Sequence, residues 1–263
     1  MPTNKQKKIL QVFFEPKQPG SFSNSVTLKK SLQASQHKRV PSLSQIKDFL
    51  ATKRSYTVHR PARKKYPMKS VIVGGVGIQL QLDLIDMQQF AHENNNYRYI
   101  LLAIDCFSRY AYARPLKTKR GGLVSEAMES ILNEAEMRVG RNIEKIQTDD
   151  GLEFFNKTVK TMLANRNIHL FSTSSPTKAQ MCERLVKTLR GRQERYNTYK
   201  GTRRWMESFF DFVKSYNKTP HTALPDNMAP ADVNLQNEIK VWRHLYGKEL
   251  LKTPPHLQRQ LRA

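Results

Sequence analysis

The seven residues Tyr99–Asp105 form a nearly continuous apolar run, which constrains the fold more than any other stretch. A short apolar run bounded by polar segments is typical of a strand in the middle of a sheet that is covered on both faces. Ahead of it, Gly77–Met87 alternates between apolar and polar positions, and behind it Tyr110–Leu116 has a strand-like composition. The globular part of the chain is therefore predicted to open with three consecutive strands.

Helical patterns and short strands alternate in the rest of the globular part. In chain order, the predicted elements are a helix over Gly121–Val139, a strand ending at Asp149, a helix over about Phe155–Asn165, a strand Ile168–Phe171, helices over Lys178–Tyr199 and Arg203–Tyr216, and a helix over Leu235–Tyr246. This order predicts an α/β fold, a mixed sheet flanked by helices. The ribonuclease H-like architecture has this element order, although several α/β folds share parts of it.

Composition divides the chain into four segments. Residues 1–40 are rich in Lys, Gln, Ser and Asn without a sustained period, which predicts a partly disordered basic N-terminal arm. Residues 41–70 are predicted to form a short helix and a basic linker, with Ser42 or Ser44 as the helix cap. Residues 71–235 are the predicted core, and 236–263 a C-terminal helix and tail.

The formal net charge of +23 points to a polyanionic partner, most commonly nucleic acid. Residues 1–70 carry +14 of this charge, with sixteen Lys and Arg against two acids. An anionic membrane surface is the weaker alternative, because the sequence has no long apolar run and no signal-peptide or lipidation pattern. We therefore expect DNA as partner and no membrane association.

The two cysteines, Cys106 and Cys182, have no CxxC neighbour. This usage indicates a reducing compartment, cytosolic or nuclear, and argues against the usual structural zinc clusters. A nuclear location and no zinc are expected.

Three acids are candidates for chemistry because of the elements that carry them. Asp83 lies on the first predicted strand, Asp149 ends the fourth, just before Gly151, and Glu183 lies in the first turns of a long basic helix. If the first and fourth strands are neighbours, the two aspartates face each other and the helix can bring Glu183 to them. Converging carboxylates would repel, and two Mg²⁺ or Mn²⁺ ions would relieve that repulsion while gripping a phosphodiester.

Each acid also has a simpler interpretation. A strand-end Asp is more often a turn former or helix cap than a metal ligand, and Asp150 fits that description. Asp86 and Asp105 are rival acids, and Glu183 could merely pair with Lys187 one helical turn on.

Two basic stretches are candidate DNA contacts. The segment from Arg54 to Pro67 is either a solvated linker or an arm along phosphates, and we favour the arm because Tyr56 and Tyr66 are interleaved with the charge. On the basic helix, a solvated face is the alternative to phosphate contact. The candidate contacts are Arg60, Arg63, Lys64, Lys65, Lys178, Arg184, Lys187, Arg190 and Arg192.

At this point the motifs resemble the DDE integrase core of retroviruses, retrotransposons and DNA transposons, and most of all the integrases of Maverick/Polinton-type elements. The matching stretches are 56–63, Gln81–Met87, Tyr97–Ala111, Pro115–Lys119, Ile146–Phe154, Lys178–Arg184, Thr188–Arg190, Tyr216–His221 and Ala229–Val233. They run in the family's order from about Leu43 to Val233. Asp149 and Glu183 have 33 residues between them, close to the usual integrase separation.

The resemblance implies that residues 71–235 are an integrase catalytic core in which Asp83, Asp149 and Glu183 are catalytic and hold divalent metal. It further implies 3′-end processing and strand transfer on double-stranded DNA, both element ends and target, by a homo-oligomer.

Three positions depart from the family pattern: Leu80 stands for a frequent Trp, Asp150 for Asn or Lys, and Val186 for an Asn that would be a polar neighbour of Glu183. No cysteine precedes Cys106, so the family's His-His-Cys-Cys module is not expected. Two alternatives therefore stay open, a ribonuclease H-like nuclease that cuts without joining and a catalytically inactive, domesticated DNA-binding protein.

Overall fold

The computed structural model describes residues 4–35, 40–59, 71–172 and 180–250. Within them, five strands form one sheet in the order β3-β2-β1-β4-β5. The strands are β1 (Gln79–Asp86), β2 (Tyr99–Asp105), β3 (Ala111–Leu116), β4 (Lys145–Thr148) and β5 (His169–Ser172). The first three are antiparallel, whereas β4 runs parallel to β1 and β5 parallel to β4. The predicted mixed sheet of a ribonuclease H-like fold is confirmed.

Helices cover both faces of this sheet. They are α1 (Asn4–Phe13), α2 (Ser25–Ala34), α3 (Leu43–Ala51), α4 (Arg54–Thr57), α5 (Gly121–Val139), α6 (Lys157–Asn165), α7 (Gln180–Lys200), α8 (Phe209–Asn217) and α9 (Glu238–Leu250). In these parts of the chain, no helix is both long and apolar enough to cross a membrane.

The apolar run of β2 is explained by its central place. Leu101 and Ala103 point into a core formed with α5 and α6, whereas Ile100, Leu102 and Ile104 point into a second core formed with α1–α3, α7 and α8. Successive side chains of a strand point to opposite faces, so a strand covered twice must be apolar throughout.

Helices α3 and α5 have ends that agree with the sequence prediction. Ser42 caps α3 and exchanges hydrogen bonds with Gln45 in a capping box, and Ile46, Phe49 and Leu50 are buried. Helix α5 ends at Gly140, whose φ of +74° suits a residue without a side chain.

The predicted disorder of residues 1–40 is wrong for the described residues 4–35. They form α1 and α2, and the buried Phe22 lies between them with ring centroids 5.2 Å from Phe13 and 5.7 Å from both Tyr196 and Phe212. Both helices are only ten residues long, and the aromatic partners of Phe22 on α7 and α8 lie some 180 residues later in the chain.

Other boundaries also differ from the sequence prediction. Helix α8 begins at Phe209 rather than Arg203, and α9 packs Val241 and Tyr246 onto Val76 and Phe107, so the C-terminal helix shares a core with the preceding segment. Of the predicted extended basic arm, residues 54–57 are helical and 60–70 lie outside the described residues. Tyr56 is packed against the core beside Phe13 instead of lying free among the charges.

The helical N-terminal region predicts a large effect of Phe22→Ala on stability. Truncating a fully buried aromatic ring should lower the free energy of unfolding by about 3–5 kcal/mol, because a cavity replaces its ring contacts. Val26→Ala, at a position 44% exposed on α2, is the matched control and should change it by about 0.5 kcal/mol or less. Urea unfolding of the full chain measures both; equal, small effects would show that the N-terminal helices do not stabilise the core.

Candidate active site

The parallel pairing of β1 and β4 sets the position of two candidate acids. Gln81 lies opposite Gln147 in this pairing. Asp83 and Asp149 each follow their member of the pair by two residues, and Asp149 comes directly after β4 ends at Thr148. Because side chains two residues apart on a strand share a face, the two aspartates reach the same end and the same side of the sheet.

Helix α7 supplies the third acid from its first turn. Glu183 is exposed, whereas Cys182 and Leu185, on the side of the helix that faces the sheet, are buried. The Oε1 atom of Gln81 on β1 accepts hydrogen bonds from the backbone N–H groups of Met181 (3.0 Å) and Cys182 (3.2 Å). The turn that carries Glu183 is thus attached to the strand that carries Asp83.

The pKa of Asp83 depends on the charges of the other two predicted acids. Burial, followed by the negative charges of Asp149 and Glu183, raises the pKa of Asp83 from 3.8 to about 6. A hydrogen bond from the Leu84 N–H (2.8 Å) and the positive charge of Arg190 oppose this rise only in part. Negative charge at this end of the sheet is therefore not fully compensated.

The turn after β4 brings the side chains of Asp149 and Glu153 close to Gly151. The Gly151 N–H donates to Asp149 Oδ1 at 3.3 Å. A Cβ on Gly151 would lie 2.8 Å from the carboxylate carbon of Glu153 and 3.1 Å from Asp149 Oδ1, so both carboxylates lie close to this glycine. Glu153 also lies 3.4 Å from Lys119 Nζ. Glu153 was not among the candidate acids, although it lies only four residues after Asp149.

The rival acids are accounted for by local hydrogen bonds. Asp86 accepts from the backbone and side-chain nitrogens of Gln88, both at 2.9 Å, and these bonds lower its pKa. Asp105 is fully buried and accepts from Gly77 N–H, Phe107 N–H and the Ser108 hydroxyl at 2.7–3.1 Å. It pairs with Leu80 near the start of β1, three residues before Asp83. Both rivals act as structural residues.

Two further alternatives from the sequence concern Asp150 and Glu183. Asp150 is exposed at the bend that follows β4, which agrees with a turn residue, whereas the cap of the following helix α6 is Asn156, whose side chain accepts from the Val159 N–H at 3.0 Å. Among the ion pairs of the described residues there is none between Glu183 and Lys187.

Two of the three departures from the integrase pattern, Leu80 and Val186, fall at packed positions. Leu80 is fully buried in the core beneath α5, and Val186 packs against the core on the other face. An apolar residue at each position therefore has a packing role in this chain.

The predicted DNA contacts on α7 divide into two groups. Arg184, Lys187 and Arg190 are exposed along the side that carries Glu183, and Arg190 donates to the Asp86 carbonyl at 3.2 Å. The prediction for Arg192 is wrong, because this side chain is only 2% exposed and lies against the Phe212 carbonyl and the Ser215 hydroxyl. Lys178, Arg60, Arg63, Lys64 and Lys65 lie outside the described residues.

The acids suit a hard divalent cation in their chemistry. Carboxylate oxygens are the ligands that Mg²⁺ and Mn²⁺ prefer, and the raised pKa of Asp83 marks negative charge that a cation would neutralise. As the side chains stand, however, no group of three or more His, Cys, Asp or Glu residues in the described parts of the chain is arranged to hold a metal ion. The three acids are near one another without converging on one point.

Sequence comparison links the chain to a transposon-derived protein. No protein-family model matches it. A putative uncharacterized transposon-derived protein of Caenorhabditis elegans is 32% identical over 147 residues, which are 56% of this chain and 49% of that protein. The chain thus spans about half the length of the curated relative it matches.

Structural comparison identifies the fold. A chain of the simian T-cell lymphotropic virus intasome, solved in complex with the PP2A regulatory subunit B56 gamma, superposes with a TM-score of 0.51 at 13% identity, covering 78% of this chain and 69% of that one. The catalytic core domain of BIV integrase gives a TM-score of 0.42 at 15% identity over 54% of this chain and 84% of its own. The intasome chain and this protein share a fold.

The raised pKa of Asp83 predicts a pH-dependent gain of stability in Asp83→Asn. In the wild type the folded chain favours the protonated Asp83 carboxyl. The stability that this carboxyl contributes is therefore fully present below pH 3.8 and is lost as the pH rises through 6. At pH 8 the neutral Asn should raise the free energy of unfolding by about 1–2 kcal/mol, discounted from the ~3 kcal/mol of two pKa units because the group is partly exposed.

Urea unfolding with EDTA at pH 8 and pH 3.5 tests this prediction. Asp86→Asn is the control, because its pKa is lowered and no gain is expected at either pH. A gain of equal size at both pH values in Asp83→Asn would mean that the ionisation of Asp83 is not the cause.

Proposed function

We propose that this chain is a DNA integrase or transposase of the DDE type, which processes the 3′ ends of a mobile element and joins them to target DNA. One observation carries the proposal: β1, the end of β4 and the first turn of α7 bring Asp83, Asp149 and Glu183 close enough for two of the charges to raise the pKa of the third. The fold shared with the intasome chain and the similarity to a transposon-derived protein support it. The motif resemblance favours the Maverick/Polinton integrases within this class.

Asp83, Asp149 and Glu183 are the residues proposed to hold two Mg²⁺ or Mn²⁺ ions. When bound, such ions would neutralise the phosphodiester and lower the pKa of the attacking water or 3′-hydroxyl. The side chains of this chain would provide the fixed frame for that chemistry. The backbone of Asp83 is held within the sheet and Asp149 directly follows β4, whereas Glu183 is exposed on its helix.

The DNA would lie along the exposed side of α7. Arg184, Lys187 and Arg190 present positive charge beside the acids and would contact phosphates, which sets the position of the scissile bond without reading its sequence. The net charge of +23 would add long-range attraction. By resemblance, the active form is expected to be a nuclear homo-oligomer that holds two DNA ends.

A second candidate function is DNA binding without chemistry. It is favoured by one observation, that the described acids do not converge into a metal-holding group. A ribonuclease H-like nuclease that cuts without joining would use the same acids and remains the third possibility.

The proposal predicts that Asp149→Asn removes all chemistry. A labelled duplex with Mg²⁺ or Mn²⁺ should be cut and joined by the wild type but not by the variant, because one metal ligand is lost, while DNA affinity changes by about threefold or less. Asp150→Asn, at the exposed neighbouring position, is the control and should keep the wild-type rates.

The products separate the three functions. Joined product supports the integrase, cut product alone supports the nuclease, and salt-sensitive binding with neither supports the inactive DNA-binding protein. Strand transfer retained by Asp149→Asn would overturn the assignment of the three acids.

The proposed DNA path predicts a change in the salt dependence of Lys187→Ala. Loss of one phosphate contact should reduce the slope of log K against log salt by about 0.9. Lys145→Ala, an exposed lysine at the opposite end of the sheet, should leave the slope unchanged. Fluorescence anisotropy over a salt series measures both; a slope that falls equally in both variants would place the DNA elsewhere.

A further inference from the structure

Three buried glutamines lie directly beneath the candidate acids. Gln79 (8% exposed), Gln81 (0%) and Gln147 (4%) occupy neighbouring positions of β1 and β4. The Oε1 atom of Gln147 accepts from Gln81 Nε2 at 2.9 Å and from Gln79 Nε2 at 3.1 Å. The two strands are therefore joined by side-chain amides in addition to their backbone pairing.

Gln81 also reaches the third element of the site. The first N–H groups of a helix have no partner within the helix, and a side chain just before the helix usually accepts from them. In α7 the acceptor for Met181 and Cys182 is Gln81 Oε1, from a residue 100 positions earlier in the chain. This contact attaches two successive backbone N–H groups of the first turn of α7 to β1.

Three links of the network, Gln81, Gln147 and Cys182, lie one or two residues before an acid. Gln81 precedes Asp83 by two residues, Gln147 precedes Asp149 by two, and Cys182 immediately precedes Glu183. A shift of any link would be passed to the carboxylate that follows it. We propose that Gln81 is a positioning residue, which holds α7 against β1 and β4 so that Glu183 faces Asp83 and Asp149.

A glutamine suits this role because one neutral side chain supplies both a donor and an acceptor. A carboxylate could accept from α7 but could not donate to Gln147, and it would add negative charge beside Asp83. An apolar residue of the same length would satisfy neither partner and would leave the part-buried N–H of Met181 and the buried N–H of Cys182 without this acceptor.

The test compares Gln81→Met with Gln79→Met in the full chain. Both remove a buried glutamine of β1 that donates to the same Gln147 oxygen, but only Gln81 contacts α7. The inference rests on the proposed function for its catalytic meaning, so a measurement that does not depend on DNA chemistry is included. Amide hydrogen exchange of Met181 and Cys182 reports the attachment of α7, and electron paramagnetic resonance of Mn²⁺ reports the metal affinity.

In Gln81→Met, exchange at both amides should become at least about tenfold faster, the Kd for Mn²⁺ should rise about 10–100-fold, and the joining rate should fall by a similar factor. The Kd for DNA should change by about threefold or less, because the phosphate contacts lie elsewhere on α7. Gln79→Met should match the wild type within about threefold in all four measurements.

Different outcomes overturn different claims. Unchanged exchange in Gln81→Met, or equal changes in both variants, would overturn the positioning role. If the wild type binds Mn²⁺, faster exchange in Gln81→Met without a loss of its Mn²⁺ affinity would overturn that role as well. A wild type that neither binds Mn²⁺ nor acts on DNA would overturn the proposed function, while exchange would still decide whether Gln81 holds α7. If Gln81→Met does not fold, Gln81→Glu keeps the acceptor and should exchange slowly; fast exchange there would overturn the inference.

Discussion

The parallel pairing of β1 with β4 is the constraint on which the rest of the site depends. Because parallel neighbours end at the same edge of a sheet, it brings Asp83 and Asp149 together from positions 66 residues apart. The same pairing gathers negative charge in a half-buried place, which disfavours the ionised form of Asp83. The fold must therefore supply the stability that this edge of the sheet lacks.

That stability comes from the helices that cover both faces of the sheet. Helix α7 packs in one of these cores and also carries Glu183. Leu185, Leu189 and Arg192 turn into the core shared with the N-terminal helices, while Glu183 and Lys187 stay exposed. The ring of Tyr196 on this helix packs against Phe22, which lies between α1 and α2. The N-terminal region thus supports the helix that carries an acid, in addition to contributing positive charge.

Elements with local signals were predictable from the sequence. The alternation of β1, the apolar run of β2 and the Ser42 capping box need no distant partner to be recognised. Helix α1 and the burial of Arg192 were missed because both depend on residues far away in the chain. In a run of basic residues Arg192 looks like its neighbours, and only its spacing of three from Leu189 hints that it faces inward. Glu153 was missed because the turn that brings it to Asp149 has no period.

The choice of amides beneath the acids follows from the same electrostatics. The first turn of α7 needs an acceptor, and at most helix starts Asp would serve as well as Asn or Ser. Here an anionic acceptor would lie two residues from Asp83, whose pKa is already raised to about 6. A further negative charge would favour the protonated carboxyl, which binds metal poorly. Gln81 instead accepts a hydrogen bond from α7 and donates one to Gln147. The first N–H groups of the helix thus have an acceptor that adds no charge. The buried side chains of Gln79, Gln81 and Gln147 are neutral, and this neutrality therefore lets three acids share one end of the sheet.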